Sequence, residues 1–600
     1  MFSGCKDFDC CIPKLLSVNS DAVTIGGAVG NTADIELTCP ISWVIQNLPE
    51  WLDYSFVPTA DGATITLTAN DTNNDTESRI ETFTIMAANG DRVKITVTQN
   101  PFKSFTVTWA LTGVTSDNMV TFVTESDNLN ATFNPEATYV RPAAITVTMG
   151  GVLLTAVTDY TYNSTTGVFS ITSVTGDLVI TVTGVATYSL TVGHVTGQDD
   201  GYGTVTITTG SATGNVSGAS VTVTAAPQGA YTFVKWVATD DRGATQVSTA
   251  ASYTFAITAN TTLYAVFAGD GSAAAPLEIA TATELAALGA AVNEGADQSG
   301  VFYKLVADID VGSAWTPIGY ALPAPARPFS GAFDGGGHTV TMNGVAPVTS
   351  TSYYSGLFGY TGTGSRVQNL KVEGSIAVVT SFGTCRIGAI AGRSDGLIEN
   401  CVGALAIDVQ TTSSSSSDAL DVGGIVGLVQ TGTGVQNCYA VADVYVARPG
   451  VGSSWAGGIV GALDGGSTVL NCYSTGNITA VSGSGIAYAG GIAGQSIGSV
   501  SNCVALNGTI TATTAGTVNI GRISGAAGFA LANNRALDIL LNGASVGAGA
   551  LNNKEGLRIA PSDATTQSTY DSAIPAGAGW DFTTVWKMTP GAYPKLQWEP

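Results

Sequence analysis

Through roughly the first 270 residues, apolar and polar positions alternate with a period of two, in short runs separated by turn residues. Thr64-Ile-Thr-Leu-Thr68, Thr82-Phe-Thr-Ile85 and Val93-Lys-Ile-Thr-Val97 are bounded by Asp-Gly, Asn-Asp and Asn-Gly, the pattern of half-buried antiparallel strands joined by tight turns. The texture continues in Phe105-Thr-Val-Thr-Trp109, Ala144-Ile-Thr-Val-Thr148 and Leu178-Val-Ile-Thr-Val-Thr183. There, Asp159–Asn163 leads through Thr165-Thr-Gly167 into Val168–Thr172, a hairpin signal. Val221–Ala225, Tyr231–Trp236, Tyr253–Phe255 and Leu263–Phe267 form a third set. These runs predict three small β-sandwich-like modules, 14–101, 102–186 and 187–269, after a leader of residues 1–13.

The period then changes. Thr281-Ala-Thr-Glu284 is a capping box, and Leu285, Leu288 and Val292 fall on one helical face, predicting a helix over about 282–293. Beyond it a phrase recurs six times: Gly, two or three mostly apolar residues, Gly. The closing glycines are 359, 392, 427, 461, 494 and 525, spaced by 33, 35, 34, 33 and 31. Each is followed 9 or 11 positions on by the second residue of a pair: Asn369-Leu370, Asn400-Cys401, Asn437-Cys438, Asn471-Cys472, Asn502-Cys503 and Asn533-Asn534. A period near 33 built from short β-runs, with no helical run in any unit, predicts a parallel β-solenoid. Coils stack about 4.8 Å apart, so equivalent side chains form ladders. The Cys position is read as an inward ladder of free thiols, and the Asn as a turn residue that tolerates left-handed backbone. The helix is the expected lid on the first coil. The sixth unit, with Arg522, Ser524 and Asn534, reads as a frayed last coil, and Gly579–Phe582, Val585-Trp586 and Tyr593–Trp598 as an aromatic closure of that end. The fold class is therefore all-β: three sandwich-like modules, then a C-terminal parallel β-solenoid (β-helix) over 270–600 with a short N-terminal capping helix.

The residues carry five resemblances. Trp43, Leu48-Pro-Glu-Trp51-Leu52, Asn70, Arg79 and Ile95-Thr-Val-Thr-Gln99 resemble the BACON domain of Bacteroidetes surface proteins. That resemblance implies a suspected carbohydrate or mucin binder, or a spacer. The second module resembles tandem all-β repeats of bacterial surface stalks. The third, with Trp236 and Phe267 expected inside, resembles the internalin-type B-repeat. The glycine phrases with their Asn-Cys pairs, and the lead-in Leu305–Asp310, Trp315–Gly319 and Phe329–His338, resemble the GLUG motif of bacterial adhesins, which also occurs beside the proteases of some IgA peptidases. Together they imply an extracellular, cell-surface protein. Met1-Phe-Ser-Gly-Cys5 resembles the end of a lipoprotein signal, which would make Cys5 an acylated tether to the outer membrane.

Composition narrows the function. Only 11% of the 600 residues are charged, Gly reaches 74, and the net charge of −23 argues against nucleic acid or an anionic membrane surface as partner. No run of 18 apolar residues occurs, so the membrane enters only through the possible lipid anchor. Setting Cys5 aside leaves eight of nine cysteines: four in the ladder, Cys385 ahead of the second glycine phrase, and Cys10, Cys11 and Cys39, whose pairing the sequence leaves open.

Candidate chemistry is sparse. The two histidines, His194 and His338, are 144 positions apart, so the zincin motif is absent and no metal or cofactor site is expected. Gly392-Arg-Ser-Asp-Gly396 and Gly494-Gln-Ser-Ile-Gly498 match the G-x-S-x-G elbow, but at equivalent repeat positions, which makes them repeat turns. A β-helix glycosidase needs grouped carboxylates, yet no acid occurs from Gly465 to Leu537. Asp308, Asp310 and Asp334 are the acids left to approach His338. One acidic turn, Asp199-Asp200-Gly201, reads as a hairpin tip rather than a cation site. No catalytic residue is assigned, and the chain is read as a non-enzyme. The candidate ligand-binding aromatics are Trp43, Trp51, Tyr439 and Tyr473, with Tyr353, Tyr354 and Tyr488 on the same solenoid argument. At least one of Trp43 and Trp51 is expected in the core; Tyr439 and Tyr473 should point away from the solenoid interior, because each follows an inward Cys. The expected function is adhesion to extracellular glycan, mucin or a host surface protein. The alternatives are a structural stalk or surface-layer component and, third, a glycan-degrading β-helix enzyme. A solvent-facing aromatic ladder on the solenoid would favour the first and a bland Ser/Thr face the second.

Overall fold

The computed structural model describes residues 15–322, 324–345, 352–381, 384–413, 419–430, 432–526, 530–571 and 579–600, so Cys5, Cys10 and Cys11 lie outside the described residues. The chain divides into two compact units, Met1–Thr191 with Thr209–Thr222 and Thr254–Thr261, and Val192–Thr208 with Val223–Tyr253 and Thr262–Pro600.

The first unit begins with a sandwich of two four-stranded sheets. One runs Ser17–Val18, Thr32–Thr38, Gly62–Ala69, Leu52–Thr59; the other runs Ala22–Ile25, Arg92–Gln99, Arg79–Ala87, Trp43–Gln46. The alternation seen in the sequence sends Ile35, Leu37, Ile65, Leu67, Phe83, Ile85, Ile95 and Val97 inward, all essentially inaccessible to water. The next module has a five-stranded and a four-stranded sheet over a core of Phe133, Val147, Phe169 and Ile180. Its hairpin pairs Tyr160–Tyr162 with Val168–Ile171, as the turn residues predict.

In the second unit, Thr232–Val237 pairs antiparallel with Thr261–Ala268 and with Gln246–Ser248. Trp236 and Phe267 are fully buried, as expected. The helix runs Ala282–Glu294; Thr281 and Glu284 close the capping box reciprocally, and Gly295 ends it in left-handed backbone at φ 101°. Leu285, Leu288 and Val292 enter the same core as the first coils, and the helix does act as their lid. Gly289 lies on the buried side of the helix, where an added Cβ would make ordinary contact with Ile318 Cγ1 at 3.4 Å.

The solenoid is a stack of parallel coils with four faces. Its sheets begin with Leu277–Ile279, Ile309–Asp310, Ser352–Ser355 and Phe358–Thr361, and contain nine, twelve, six and five strands. Register is maintained by inward rows such as Val367–Ile398–Val435–Val469–Val500–Leu531. The Asn residues are left-handed as read: Asn369, Asn400, Asn437, Asn471, Asn502 and Asn533 all have φ between 51° and 55°. Their amides also bond from coil to coil, Asn471 Nδ2 to Asn437 Oδ1 and Asn502 Nδ2 to Asn471 Oδ1 at 3.2 Å each. Cys401, Cys438, Cys472 and Cys503 form the inward ladder of buried free thiols. Burial pushes the Cys438 and Cys503 thiols well above their ordinary range. The closing glycines permit backbone contact: a Cβ on Gly461 would lie 2.3 Å from Val422 N.

Two expectations at the C-terminal end are corrected. The sixth unit is not frayed. Arg522 is fully buried, donating through Nε to Glu555 O and through Nη2 to Gly547 O, at 3.1 and 3.0 Å. Asn534 replaces the ladder thiol and donates to Val500 O at 2.8 Å. The last coil is continued by Leu557–Ile559, which pairs parallel with Arg535–Leu537. The aromatic segment, in turn, does not close the end. Residues 579–600 run along the flank of the coils: Trp580 Nε1 donates to Asn502 O and Trp598 Nε1 to Asn400 O, at 2.9 and 3.2 Å. A strap is the better description, because it ties several coils together through one apolar cluster with Tyr439, Tyr473, Tyr570, Trp580, Trp586 and Leu596.

Candidate functional site

The candidate site lies between the edge strands of the two sheets of the first module. Leu52–Thr59 is an eight-residue edge strand, and the edge strand of the opposing sheet, Trp43–Gln46, has four. Leu52, Tyr54, Phe56 and Pro58 face inward, since they pair with Ala69, Leu67, Ile65 and Ala63, all buried. Exposure rises along this row. Leu52 is 2% exposed, whereas Tyr54 and Phe56 are 43% and 52% exposed. Trp43 also faces the gap, from the other sheet, and meets Phe56 edge-to-face with ring centroids 5.2 Å apart at 70°. The result is an open groove of about 560 Å³ between two sheet edges, lined by Cys39, Pro40, Trp43, Tyr54, Phe56 and Pro58 among others. Aromatic faces beside unpaired edge backbone offer apolar stacking and hydrogen bonding in one place.

Of the four aromatics singled out from sequence, only Trp43 lies in this groove. Trp51 is core, as expected for one of the pair: it is 6% exposed, its Nε1 donates to Glu81 Oε1 at 3.1 Å, and Arg79 covers its ring at 4.7 Å. Tyr439 and Tyr473 do point away from the solenoid interior, but they are not available to a ligand. They stack on each other at 4.7 Å and 5° beneath the strap, where Tyr473 donates to Pro594 O at 2.7 Å and Tyr439 to Glu599. Burial pushes both hydroxyls well above the usual phenol range. Tyr54 and Phe56 were missed; their signal was the alternation Leu52-x-Tyr54-x-Phe56-x-Pro58, which reads as buried strand.

On the solenoid, several polar and aromatic outward positions contact one another from coil to coil. Tyr354, Arg386, Asp421, Trp455 and Tyr488 occupy successive coils of one row. Arg386 donates to Asp421 Oδ2 at 3.0 Å and to Tyr354 OH at 2.7 Å, and burial pushes the Asp421 carboxyl up against that attraction. Arg393 holds Asp395 through two bonds, and Tyr360 donates to the same carboxylate; burial and that bond push its hydroxyl up to about 12. Tyr354 and Tyr488 are 5% and 9% exposed, and the Tyr353 side chain lies outside the described residues. The outward rows are mixed: Asp408 is followed on the next coils by Tyr445, Thr479 and Thr511, and Gln410 is preceded by Val379; Val379 is strongly exposed, while Tyr445 stands alone in its row and builds no aromatic ladder.

The chemical motifs resolve into structural contacts. Ser394 and Ser496 end equivalent strands, and each hydroxyl donates to the carbonyl two residues on, Gly396 O and Gly498 O. His338 Nδ1 lies 3.2 Å from Asp308 Oδ1, while Asp334 accepts from Gly336 N and Asn369 and Asp310 from Gly312 N. Asp199 accepts from Gly201 N at 2.8 Å within a turn. Among the described residues, no group of three or more His, Cys, Asp or Glu is placed to hold a metal ion, and no helix is long and apolar enough to cross a membrane.

Comparison with known proteins bears on the surface reading. Residues 193–271 match the divergent InlB B-repeat domain. The chain is 31% identical over 191 residues to halomucin of Haloquadratum walsbyi, covering 30% of this chain and 2% of that protein's length. Among solved structures, a candidate immunoglobulin A1 protease from Bacteroides ovatus is 21% identical, with 55% of this chain and 95% of that one covered at a TM-score of 0.39. Titin domains A168–A170 are 14% identical, with 42% and 89% covered at a TM-score of 0.14. The B-repeat match and the β-solenoid fit a cell-surface protein.

Proposed function

We propose that this chain is a non-catalytic extracellular adhesin that contacts glycan through the aromatic groove of its first module, with the B-repeat-like module and the solenoid as carrier. The observation that carries the reading is the uncovered inward row: Tyr54 and Phe56 are exposed on the core-facing side of their strand, beside Trp43. Water-exposed rings on a core-facing row are unfavourable unless something uses them. Resemblance to BACON domains supports sugar or mucin as the ligand, and the likeness to halomucin and to the B-repeat supports display at a cell surface, with Cys5 the proposed lipid anchor.

The second reading, a stalk with no ligand, is favoured by the burial of Tyr354, Tyr439, Tyr473 and Tyr488, which leaves the solenoid without an exposed aromatic ladder. A glycan-degrading activity is disfavoured because the solenoid carboxylates Asp395, Asp421 and Glu399 are each engaged by an arginine of their own coil or a neighbouring one. Glycan-array and mucin-binding measurements on the whole chain decide between the first two. The adhesin reading expects binding that falls about tenfold or more in Trp43→Ala/Phe56→Ala, the loss of two stacking rings. Binding unaffected by that variant, or none at all, would remove it.

A further inference from the structure

The geometry points to an uncharged glycan as the ligand of the first-module groove, with sialylated and sulfated forms bound more weakly. This rests on the binding reading above and adds the ligand's chemical class. Every residue lining the groove, from Cys39 to Ile45 and then Tyr54, Phe56, Pro58, Thr59, Ala60, Gly62 and Ala63, is uncharged. The surrounding module is strongly acidic. Residues 14–101 contain eleven Asp and Glu against Lys14, Arg79, Arg92 and Lys94, a net of −7 (4 − 11).

Among the described residues, none of the module's three cations serves the groove. Arg79 is committed to the Trp51 ring, Asp71 and Gln99. Arg92 sits opposite Met86, which sits opposite Val44, so Arg92 belongs to the outer face of its sheet, while Trp43 and Ile45 face the gap. Lys94 pairs with Thr84, which pairs with Gln46, on that same outer face. A carboxylate or sulfate entering the groove would shed water and meet no counter-charge, in a field that already repels it. A neutral sugar has no such cost. Its C–H face can lie on the rings, and its hydroxyls can reach Ser42, Thr59 and the free backbone edges of Trp43–Gln46 and Leu52–Thr59, each of which has one neighbouring strand only. Pro58 removes a donor from the longer edge, which disfavours a peptide adding as a further strand.

The test is a matched-pair binding measurement on the whole chain: one branched glycan with and without its terminal sialic acids, and one galactan with and without sulfate, at 20 and 300 mM salt. The expected result is binding of the neutral member about tenfold tighter at low salt, narrowing as salt screens the module's field. Ser42→Lys, a cation added at the exposed rim, should narrow the gap at low salt. Equal or tighter binding of the charged members, weakened by Trp43→Ala/Phe56→Ala, would overturn the neutral class while the groove stands as the site. Binding of neither member, or binding indifferent to the double variant, would overturn both.

Discussion

Replacing Asn471 with Ala and with Gly should reverse the usual order of those two residues. Asn471 has φ 53° and is 8% exposed; its amide donates to Asn437 Oδ1 and accepts from Asn502 Nδ2, each at 3.2 Å. Both variants lose two side-chain hydrogen bonds in a nearly dry ladder, about 1 kcal/mol net each. Alanine must also hold left-handed backbone, a further 1–2 kcal/mol or so, for a total of about 3–4 kcal/mol. Glycine avoids that strain but has more freedom to lose on folding, about 0.5–1 kcal/mol. Glycine should therefore be the milder change by roughly 0.5–1 kcal/mol. Hydrogen-exchange mass spectrometry on peptides covering 468–505 reads this locally: exchange should accelerate roughly a hundredfold or more in Asn471→Ala and several-fold less in Asn471→Gly. Alanine equal to or milder than glycine would refute the claim that left-handed geometry selects asparagine here.

Three further outcomes follow from single contacts. Glu278 is 8% exposed and receives Tyr202, Gln198 and Arg242, the last at 2.5 Å, so Glu278→Gln leaves a mostly buried guanidinium poorly paired and should cost about 3 kcal/mol, measured as a lowered unfolding midpoint. Trp580→Ala removes a 4%-exposed indole packed on Tyr473 and Trp586 and should cost about 3–5 kcal/mol in strap docking, seen as faster proteolysis within 579–600. In the second module, Asp117 and Asp177 accept backbone bonds from Thr132 and Thr106, which hold both carboxyls below the usual value of 3.8. Depressed carboxyls contribute stability that is present above 3.8 and lost as pH falls through their folded-state values, so acid unfolding of the module should shift to higher pH in Asp117→Asn and keep its midpoint if the bonds contribute nothing.

Local patterns carried much of this fold into the sequence. The Asn-Cys pairs announced both a left-handed turn and an inward ladder because each coil repeats the same steric problem. Thr281 and Glu284 announced the helix because capping is a contact between residues three apart. Contacts across long separations left no such trace. Tyr439 reads as outward from its Cys neighbour, and it is outward; what covers it is Glu599, 160 positions away. Arg522 in a glycine phrase looks like decay of the repeat, yet its partners at 547 and 555 make it a buried terminus. The groove was hidden for a related reason: the row at 52, 54, 56 and 58 announces a core-facing strand, and its exposure at 54 and 56 depends on how the opposing edge at 43–46 sits against it.

The central claim is that ligand meets this chain at the groove of the first module and not on the solenoid. Hydrogen-exchange footprinting of the whole chain with and without a bound neutral oligosaccharide locates that contact directly. The account predicts slowed exchange confined to peptides covering residues 39–46 and 52–63. Protection appearing instead along the coils between 352 and 536, with the first module unchanged, would contradict it.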